Sequence, residues 1–81
     1  MIIKYFAWLK EITKVREETI INNSINDVNK LKNFIVKRHP KLKKHINNNL
    51  IRIAVNHTYT YTNDNLNPKD EIALFPPVSG G

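Results

Sequence analysis

The residues that could take part in a reaction lie at the C-terminus, where the chain ends in Phe75-Pro76-Pro77-Val78-Ser79-Gly80-Gly81. The last two residues are the only glycines among 81. A terminal carboxylate has a pKa of about 3.3–3.7, so at neutral pH it is ionised and is a poor electrophile until another group activates it. The chain has no internal glycine for a phosphate-binding loop. Activation of the terminus therefore has to come from another protein.

The last residues are suited to enter a narrow site of such a partner. Residues 77–81 can extend over about 17 Å. Glycine lets the backbone pass a channel too narrow for a Cβ atom, and Pro76 and Pro77 stiffen the base, which lowers the entropy lost on insertion. A Gly-Gly end alone would be weak support for this role. We divide the chain into a domain of residues 1–76 and an extended tail of residues 77–81.

The remaining side chains form no pattern typical of a catalytic or metal-binding site. The chain has no cysteine, which removes disulfides, zinc ribbons and thiol nucleophiles. His39 and His45 would lie on different faces of a helix, and no carboxylates accompany them or His57. We therefore expect no cofactor or metal to be bound by this chain and no active site of its own.

Positive charge is concentrated in the middle of the sequence. Seven of the thirteen cationic residues lie between Lys30 and Lys44, with no acid among them, and the net charge is +6. Such a stretch could bind nucleic acid, but no RNA-binding motif accompanies it. A solvated helix face and loop is the favoured interpretation, and we expect no nucleic-acid partner. The stretch could still steer an acidic partner at low salt.

The elements that would position the terminus begin with two strands and a helix. Residues 1–8 and 15–22 are rich in β-branched and aromatic side chains, and residues 10–14 form a short polar connection between them. A helix follows, with Ser24 as its cap and Asp27 completing a capping box. It ends before Pro40, because the residue preceding a proline leaves helical geometry. Residues 42–49 are a connection with at most one helical turn.

Three strands complete the sequence. Residues 50–56 and 58–62 are predicted to pair as a hairpin through Asn56-His57, and residues 63–70 are a loop. The last strand, residues 71–75, is stopped by two prolines that lack the amide hydrogen of a ladder. The order ββαβββ, with one main helix on one face of a mixed sheet, predicts an α+β fold of two layers.

Strand alternation predicts which side chains face away from the helix. If Ile72 and Leu74 face the helix, then Phe75 faces outward with Ala73. On the first strand, Ile3 and Tyr5 are placed inside. The outer face of this strand is predicted to carry Lys4, Phe6 and Trp8.

Three segments of the sequence resemble one known family. They are Tyr5-Phe6-Ala7-Trp8-Leu9-Lys10-Glu11, Ala54-Val55-Asn56, and the ending Asp70-Glu71-Ile72-Ala73-Leu74-Phe75-Pro76-Pro77-Val78-Ser79-Gly80-Gly81. The chain is similar in these segments, and in its length and element order, to the small subunits of molybdopterin synthase. These are sulfur carriers with the ubiquitin-like β-grasp fold.

The resemblance implies a carrier rather than a stand-alone enzyme. An E1-like adenylyltransferase would use ATP to adenylate Gly81, and sulfur delivery would then give a thiocarboxylate. The large subunit of molybdopterin synthase, in a heterotetramer of two small and two large subunits, would use that sulfur to convert cyclic pyranopterin monophosphate to molybdopterin. Residues 76–80, Pro76-Pro77-Val78-Ser79-Gly80, would contact these partners.

The resemblance also implies a second contact surface. β-Grasp topology sets the first and last strands side by side, which would bring Phe6 and Phe75 together at the base of the tail. An exposed apolar patch on a small domain indicates a protein interface.

Alternative functions remain open. The chain could be a ubiquitin-like carrier or modifier of another pathway, serving thiamine synthesis, tRNA thiolation or protein conjugation. A small basic nucleic-acid-binding module is the less favoured alternative. The sequence has no secretory signal pattern and no apolar run of the roughly 20 residues needed to span a membrane, so we expect a cytoplasmic protein.

Overall fold

Five strands form one mixed sheet in the computed structural model, which describes residues 1–21 and 24–77. The strands are β1 (Ile2–Tyr5), β2 (Glu17–Thr19), β3 (Arg52–Val55), β4 (Thr58–Thr60) and β5 (Glu71–Phe75), in the spatial order β2-β1-β5-β3-β4. The helices are α1 (Leu9–Thr13), α2 (Val28–Arg38) and α3 (Lys43–Asn47), with a 3₁₀ turn at Pro40–Leu42. β1 and β5 are parallel and the other pairs are antiparallel. The predicted two-layer α+β order is confirmed.

The predicted connection at residues 10–14 is wrong, because most of it is helical. α1 covers Leu9–Thr13, and the next residue, Lys14, ends it with a left-handed backbone at φ 66°. Leu9 and Thr13 are buried, and their spacing of four residues places them on one side of a helical turn. Ile12 also packs against the core, whereas Lys10, Glu11 and Lys14 are exposed and give the segment its polar character.

The second strand is shorter than predicted. β2 covers Glu17–Thr19 rather than residues 15–22, and Val15 and Ile21 are exposed. Asn22, at the end of the predicted strand, lies outside the described residues. The β-branched side chains predicted a longer strand. The length of β2 is instead determined by which of its residues pair with β1.

The main helix starts later than predicted. Asp27, not Ser24, is the residue whose side chain caps α2, because its Oδ1 accepts a hydrogen bond of 2.8 Å from the Lys30 amide. The backbone of Asp27 is extended, as is usual for a cap. The predicted end is confirmed, since α2 stops at Arg38 and His39 leaves helical geometry before Pro40.

The predicted hairpin is confirmed. β3 and β4 are joined by Asn56 and His57, with φ of 50° and 70°. Two consecutive positive φ values are typical of the type I′ turn, whose twist matches that of the flanking strands. The turn pairs Val55 with Thr58 and Ala54 with Tyr59.

The core lies between α2 and the inner face of the sheet. Ile72, Leu74, Ile3 and Tyr5 are all buried, as the strand alternation predicts. The segment after α2, predicted as a connection, also supplies buried side chains. The core cluster contains Ile3, Tyr5, Leu9, Ile20, Ile25, Val28, Leu31, Ile35, Leu42, Ile46, Ile53, Leu66, Ile72 and Leu74.

A half-buried carboxylate joins the end of α2 to the first two strands. Glu18 on β2 accepts hydrogen bonds from the Tyr5 hydroxyl and the Arg38 guanidinium, and its Oε2 lies 2.7 Å from His39 Nε2. Burial by itself would raise the pKa of Glu18, but the hydrogen bonds from Tyr5, His39 and Arg38 together hold that pKa below its ordinary value.

We expect this carboxylate to make the stability of the fold pH-dependent. Because the pKa of Glu18 is lower in the folded state, its contribution is complete above the unfolded value of about 4.5 and is lost as the pH falls below it. The free energy of unfolding of wild type should therefore drop more steeply in acid than that of Glu18→Gln. Urea unfolding at several pH values measures this, and parallel pH profiles of the two proteins would contradict it.

A second carboxylate, that of the buried Asp70, holds the hairpin turn against the loop before β5. Asp70 accepts hydrogen bonds of 2.9 Å from Asn56 Nδ2 and 2.8 Å from the Asn67 amide. Asn56 in turn accepts a bond of 2.9 Å from the Glu71 amide. These contacts fix the start of β5 against the hairpin turn.

We expect Asp70→Ala to destabilise the fold by about 1–3 kcal/mol, because it leaves two donors without an acceptor. Thermal and urea unfolding measure the loss. Lys69→Ala is the control, since Lys69 is an exposed neighbour on the same loop and its change should stay within about 0.5 kcal/mol. Equal melting temperatures for Asp70→Ala and Lys69→Ala would contradict the prediction.

Candidate partner-binding site

The parallel pairing of β1 with β5 brings the two predicted phenylalanines together. Tyr5 pairs with Leu74, and the Phe6 amide donates a hydrogen bond of 3.0 Å to the Leu74 carbonyl. The rings of Phe6 and Phe75 meet edge to face with centroids 6.5 Å apart. Phe6 is 47% exposed. The predicted outward placement of both rings is observed, while their role in binding stays a prediction.

A third aromatic residue, Tyr59, completes this surface and was missed in the sequence. Tyr59 lies on β4 opposite Ala54, which is itself opposite Ala73 on β5. Its ring packs 5.4 Å from that of Phe75 and is 52% exposed. The signal was present, because a two-residue turn at Asn56-His57 fixes the register and puts Tyr59 on the outer face.

These side chains enclose a shallow depression of about 540 Å³. The small side chains of Ala54 and Ala73 lie at the bottom of this depression, and the three aromatic rings form its walls. We call Phe6, Ala54, Tyr59, Ala73 and Phe75 the apolar patch. A concave surface with aromatic walls suits the insertion of an apolar side chain from a partner protein.

A polar rim borders the apolar patch at the start of β5. Lys4 Nζ lies 2.8 Å from Glu71 Oε1, and His57 Nε2 lies 3.3 Å from Glu71 Oε2. The hydrogen bond between Lys4 and Glu71 raises the pKa of Lys4 and lowers the pKa of Glu71. Both groups are therefore charged at neutral pH, so the apolar surface has a charged border on this side.

Trp8 does not belong to the apolar patch. The prediction extended the first strand to residue 8, but β1 ends at Tyr5 and Ala7 takes a φ of 54°. Trp8 then precedes α1, and its ring packs 5.0 Å from that of His45 on α3. Trp8 is 41% exposed, as predicted, but it lies beside α3 and not on the apolar patch.

The last described residues, Pro76 and Pro77, continue from β5 beside Phe75 and are half-buried. Val78, Ser79, Gly80 and Gly81 lie outside the described residues. The division at residue 76 and the roles assigned to these positions therefore stay predictions. The described geometry places the apolar patch at the end of β5, which is the base of the segment that carries the C-terminus.

Comparison with known proteins identifies the relatives of this chain. Residues 3–81 match the ThiS family. The chain belongs to the ThiS family. The chain is 42% identical over 82 aligned positions to a human protein, the molybdopterin synthase sulfur carrier subunit, and the alignment covers 98% of this chain and 91% of the human protein. The resemblance seen in the three sequence segments is confirmed.

Solved structures agree with this ThiS-family assignment. A Pyrococcus furiosus protein, described as molybdopterin converting factor subunit 1, superposes with a TM-score of 0.82 at 32% identity over 95% of both chains. Small archaeal modifier protein 1 from Haloferax volcanii superposes with a TM-score of 0.81 at 28% identity, over 99% of this chain and 97% of the other. The predicted ubiquitin-like β-grasp fold is confirmed.

No helix in the described part of this ThiS-family chain is long and apolar enough to cross a membrane. The longest described helix, α2, has 11 residues.

Proposed function

We propose that this chain is the sulfur carrier of molybdopterin synthase and that Gly81 is the residue that carries sulfur. The observation that supports this most directly is the 42% identity to the human sulfur carrier subunit across nearly the whole chain. The match to the ThiS family extends to residue 81 and so includes the terminal glycines.

Sulfur loading would proceed in two steps in the site of an E1-like enzyme. A carboxylate oxygen of Gly81 attacks the α-phosphorus of ATP and displaces pyrophosphate, which leaves an acyl adenylate. A sulfur nucleophile from a donor then attacks the acyl carbon and expels AMP. The C–O bond to AMP is replaced by a C–S bond. If the nucleophile is hydrosulfide, loss of its proton leaves the thiocarboxylate, and if it is a persulfide, a thiol must also reduce the S–S bond to the donor.

Sulfur transfer would take place at the large subunit of molybdopterin synthase. There two thiocarboxylates each give one sulfur to cyclic pyranopterin monophosphate to form the dithiolene of molybdopterin, and water supplies the oxygen that returns each terminus to a carboxylate. Two small and two large subunits would form the working heterotetramer in the cytoplasm. This chain would bind no cofactor, since ATP is used by the activating enzyme.

The position of the apolar patch supports a docking role in both steps. Phe75 belongs to the patch and is followed directly by Pro76 and Pro77. A partner that binds the patch therefore also fixes the base of the tail, and residues 77–81 can then reach about 17 Å into its site. Partner binding and delivery of Gly81 would be parts of one docking event.

A second candidate function is covalent modification of proteins. It is favoured by the superposition on small archaeal modifier protein 1 over 99% of this chain. In this case the activated Gly81 would be attacked by a lysine amine and would form an amide bond. Carriers for thiamine synthesis or tRNA thiolation would use the same activated terminus with a different acceptor.

Intact-mass spectrometry tests the proposal. The full chain is incubated with the E1-like enzyme, ATP and a sulfur source, and the expected product is heavier by the exchange of one oxygen for sulfur at Gly81. The loaded chain is then mixed with the large subunit and cyclic pyranopterin monophosphate, and molybdopterin is measured. Loading without molybdopterin, together with amide-linked products in cell extract, would replace the proposal by the modifier function.

A further inference from the structure

The outer face of the sheet carries a second, smaller depression beside the apolar patch. Its volume is about 250 Å³, and it is lined by Arg52, Tyr59, Tyr61 and Phe75. Two of these residues, Tyr59 and Phe75, also belong to the apolar patch, so the two depressions adjoin each other. We call Arg52 and Tyr61 the polar corner.

The strand register places the polar corner on the outer face. Arg52 lies opposite Phe75 in the pairing of β3 with β5, and residues opposite each other in a sheet have their side chains on the same face. The next residue, Ile53, is buried in the core, as alternation requires. Tyr61 follows β4, and its ring centroid lies 6.2 Å from that of Tyr59. The polar corner therefore lies beside the end of β5 that leads to the tail.

The polar groups at this corner have no partner within residues 1–21 and 24–77. The guanidinium of Arg52 makes no ion pair or hydrogen bond with those residues, and neither do the hydroxyls of Tyr59 and Tyr61. Arg52 and Tyr61 are both exposed. A guanidinium is always charged and presents five N–H donors, and a phenol adds an O–H donor. These donors are therefore available to an acceptor from another molecule.

The acids of the outer face lie toward its other end. Glu71 on β5 is four residues from Phe75, about 13 Å along the strand, and it pairs with Lys4. Glu17 on β2 lies opposite Lys4, and three strand spacings, about 14 Å, separate β2 from β3. Both distances exceed the Debye length of about 8 Å at physiological ionic strength. Neither acid therefore neutralises the charge of Arg52.

Two aspartates near β4 belong to the helix side of the sheet. The carboxylate of Asp64 accepts hydrogen bonds from Thr60 and Thr62, and Thr60 lies opposite the buried Ile53. Asp27 caps α2 and so lies in the helical layer. These two carboxylates therefore do not neutralise the polar corner on the outer face.

The anion that suits the polar corner is a carboxylate of a protein rather than a nucleic-acid backbone. A phosphate backbone is bound by several cations, but the cationic stretch from Lys30 to Lys44 lies in the helical layer, on the opposite side of the sheet. The adjoining apolar patch has aromatic walls, and protein interfaces combine such centres with arginine and tyrosine. A guanidinium can hold a carboxylate by two parallel hydrogen bonds.

We propose that the polar corner binds a glutamate or aspartate side chain of the large subunit of molybdopterin synthase, held by the Arg52 guanidinium and the Tyr61 hydroxyl. This inference rests on the proposed function, because it takes the large subunit as the partner that docks on the apolar patch. Apolar burial is not directional, whereas a charged hydrogen-bonded pair fixes the register of two surfaces. The contact would therefore set the orientation of the docked chain at the base of the tail.

Calorimetric titration of the full chain with the large subunit tests this contact. Arg52→Gln should weaken binding about tenfold, as expected for the loss of charged hydrogen bonds, and should keep the melting temperature of wild type because Arg52 is exposed. Lys41→Gln removes the same charge from an exposed position in the helical layer and should change affinity less than about twofold. Equal effects of the two variants would show general charge attraction and would overturn the proposal.

A double-mutant cycle identifies the carboxylate on the large subunit. Each exposed acid of that subunit is changed to its amide, Asp to Asn or Glu to Gln. One of these changes should weaken the binding of wild type about tenfold and should have no further effect on Arg52→Gln. Additive effects for every acid would contradict the inference.

The same titrations distinguish this inference from the proposed function. If Phe75→Ala weakens binding and Arg52→Gln does not, the chain docks through the apolar patch and the polar corner takes no part. If Arg52→Gln weakens binding to the E1-like enzyme alone, the polar corner belongs to that contact and the inference is wrong. If wild type does not bind the large subunit at all, the proposed function is wrong as well.

Discussion

A variant with one alanine added after Gly81 is expected to lose sulfur loading completely while it keeps the stability of wild type. Adenylation requires the terminal carboxylate to lie within attacking distance of the α-phosphate of ATP. An added residue moves that carboxylate by about 3.3–3.6 Å, and a misplacement of about 1 Å can lower a rate about a hundredfold. The measurement is ATP-dependent thiocarboxylate formation by intact mass, together with a melting curve.

Gly80→Val tests the same terminus without changing its length. A valine adds a branched side chain where a narrow channel should accept only hydrogen, so loading should again be lost. Residues after Pro77 follow the end of β5, and substitutions there should change stability by no more than about 0.5 kcal/mol. Undiminished loading of either variant would show that Gly81 is not the working residue, and the carrier proposal would be wrong.

The parts of the fold that were predictable follow from local patterns. Strict alternation placed Ile72 and Leu74 inside and Phe75 outside, because successive side chains of a strand point to opposite faces. The end of α2 was predictable because a proline restricts the residue before it. These signals depend on neighbours in the sequence and need no knowledge of the rest of the chain.

The parts that were missed depend on contacts between distant segments. α1 has five residues, and only the surrounding core shows that Leu9 and Thr13 are buried. Glu18 is a surface-like residue in the sequence, yet His39 and Arg38 meet it across about twenty positions. The outward position of Tyr59 could have been predicted from the hairpin register. A predicted turn fixes the register of the two strands, and the register fixes which side chains share a face.

The apolar patch should carry much of the binding energy for the large subunit. Phe75 lies between Phe6 and Tyr59, with ring centroids 6.5 Å and 5.4 Å away, and it directly precedes the segment that must enter the partner. We expect Phe75→Ala to weaken association with the large subunit by about 2 kcal/mol, or about thirtyfold in Kd, as for an aromatic residue at the centre of an interface. Isothermal titration calorimetry measures this, and Tyr59→Ala should weaken binding in the same direction.

Phe75 could act in partner binding or in the stability of the fold. The stability of the free Phe75→Ala protein distinguishes these two roles. Because Phe75 is half-buried and packs mainly against exposed rings, its removal should cost less stability than a core substitution such as Leu31→Ala, for which about 2–5 kcal/mol is usual. Phe34→Ala, the same change at a half-buried position on α2 away from the apolar patch, is the matched control and should leave the Kd unchanged. A core-sized loss of stability for Phe75→Ala with unchanged affinity would mean that Phe75 supports the fold and that the partner binds elsewhere.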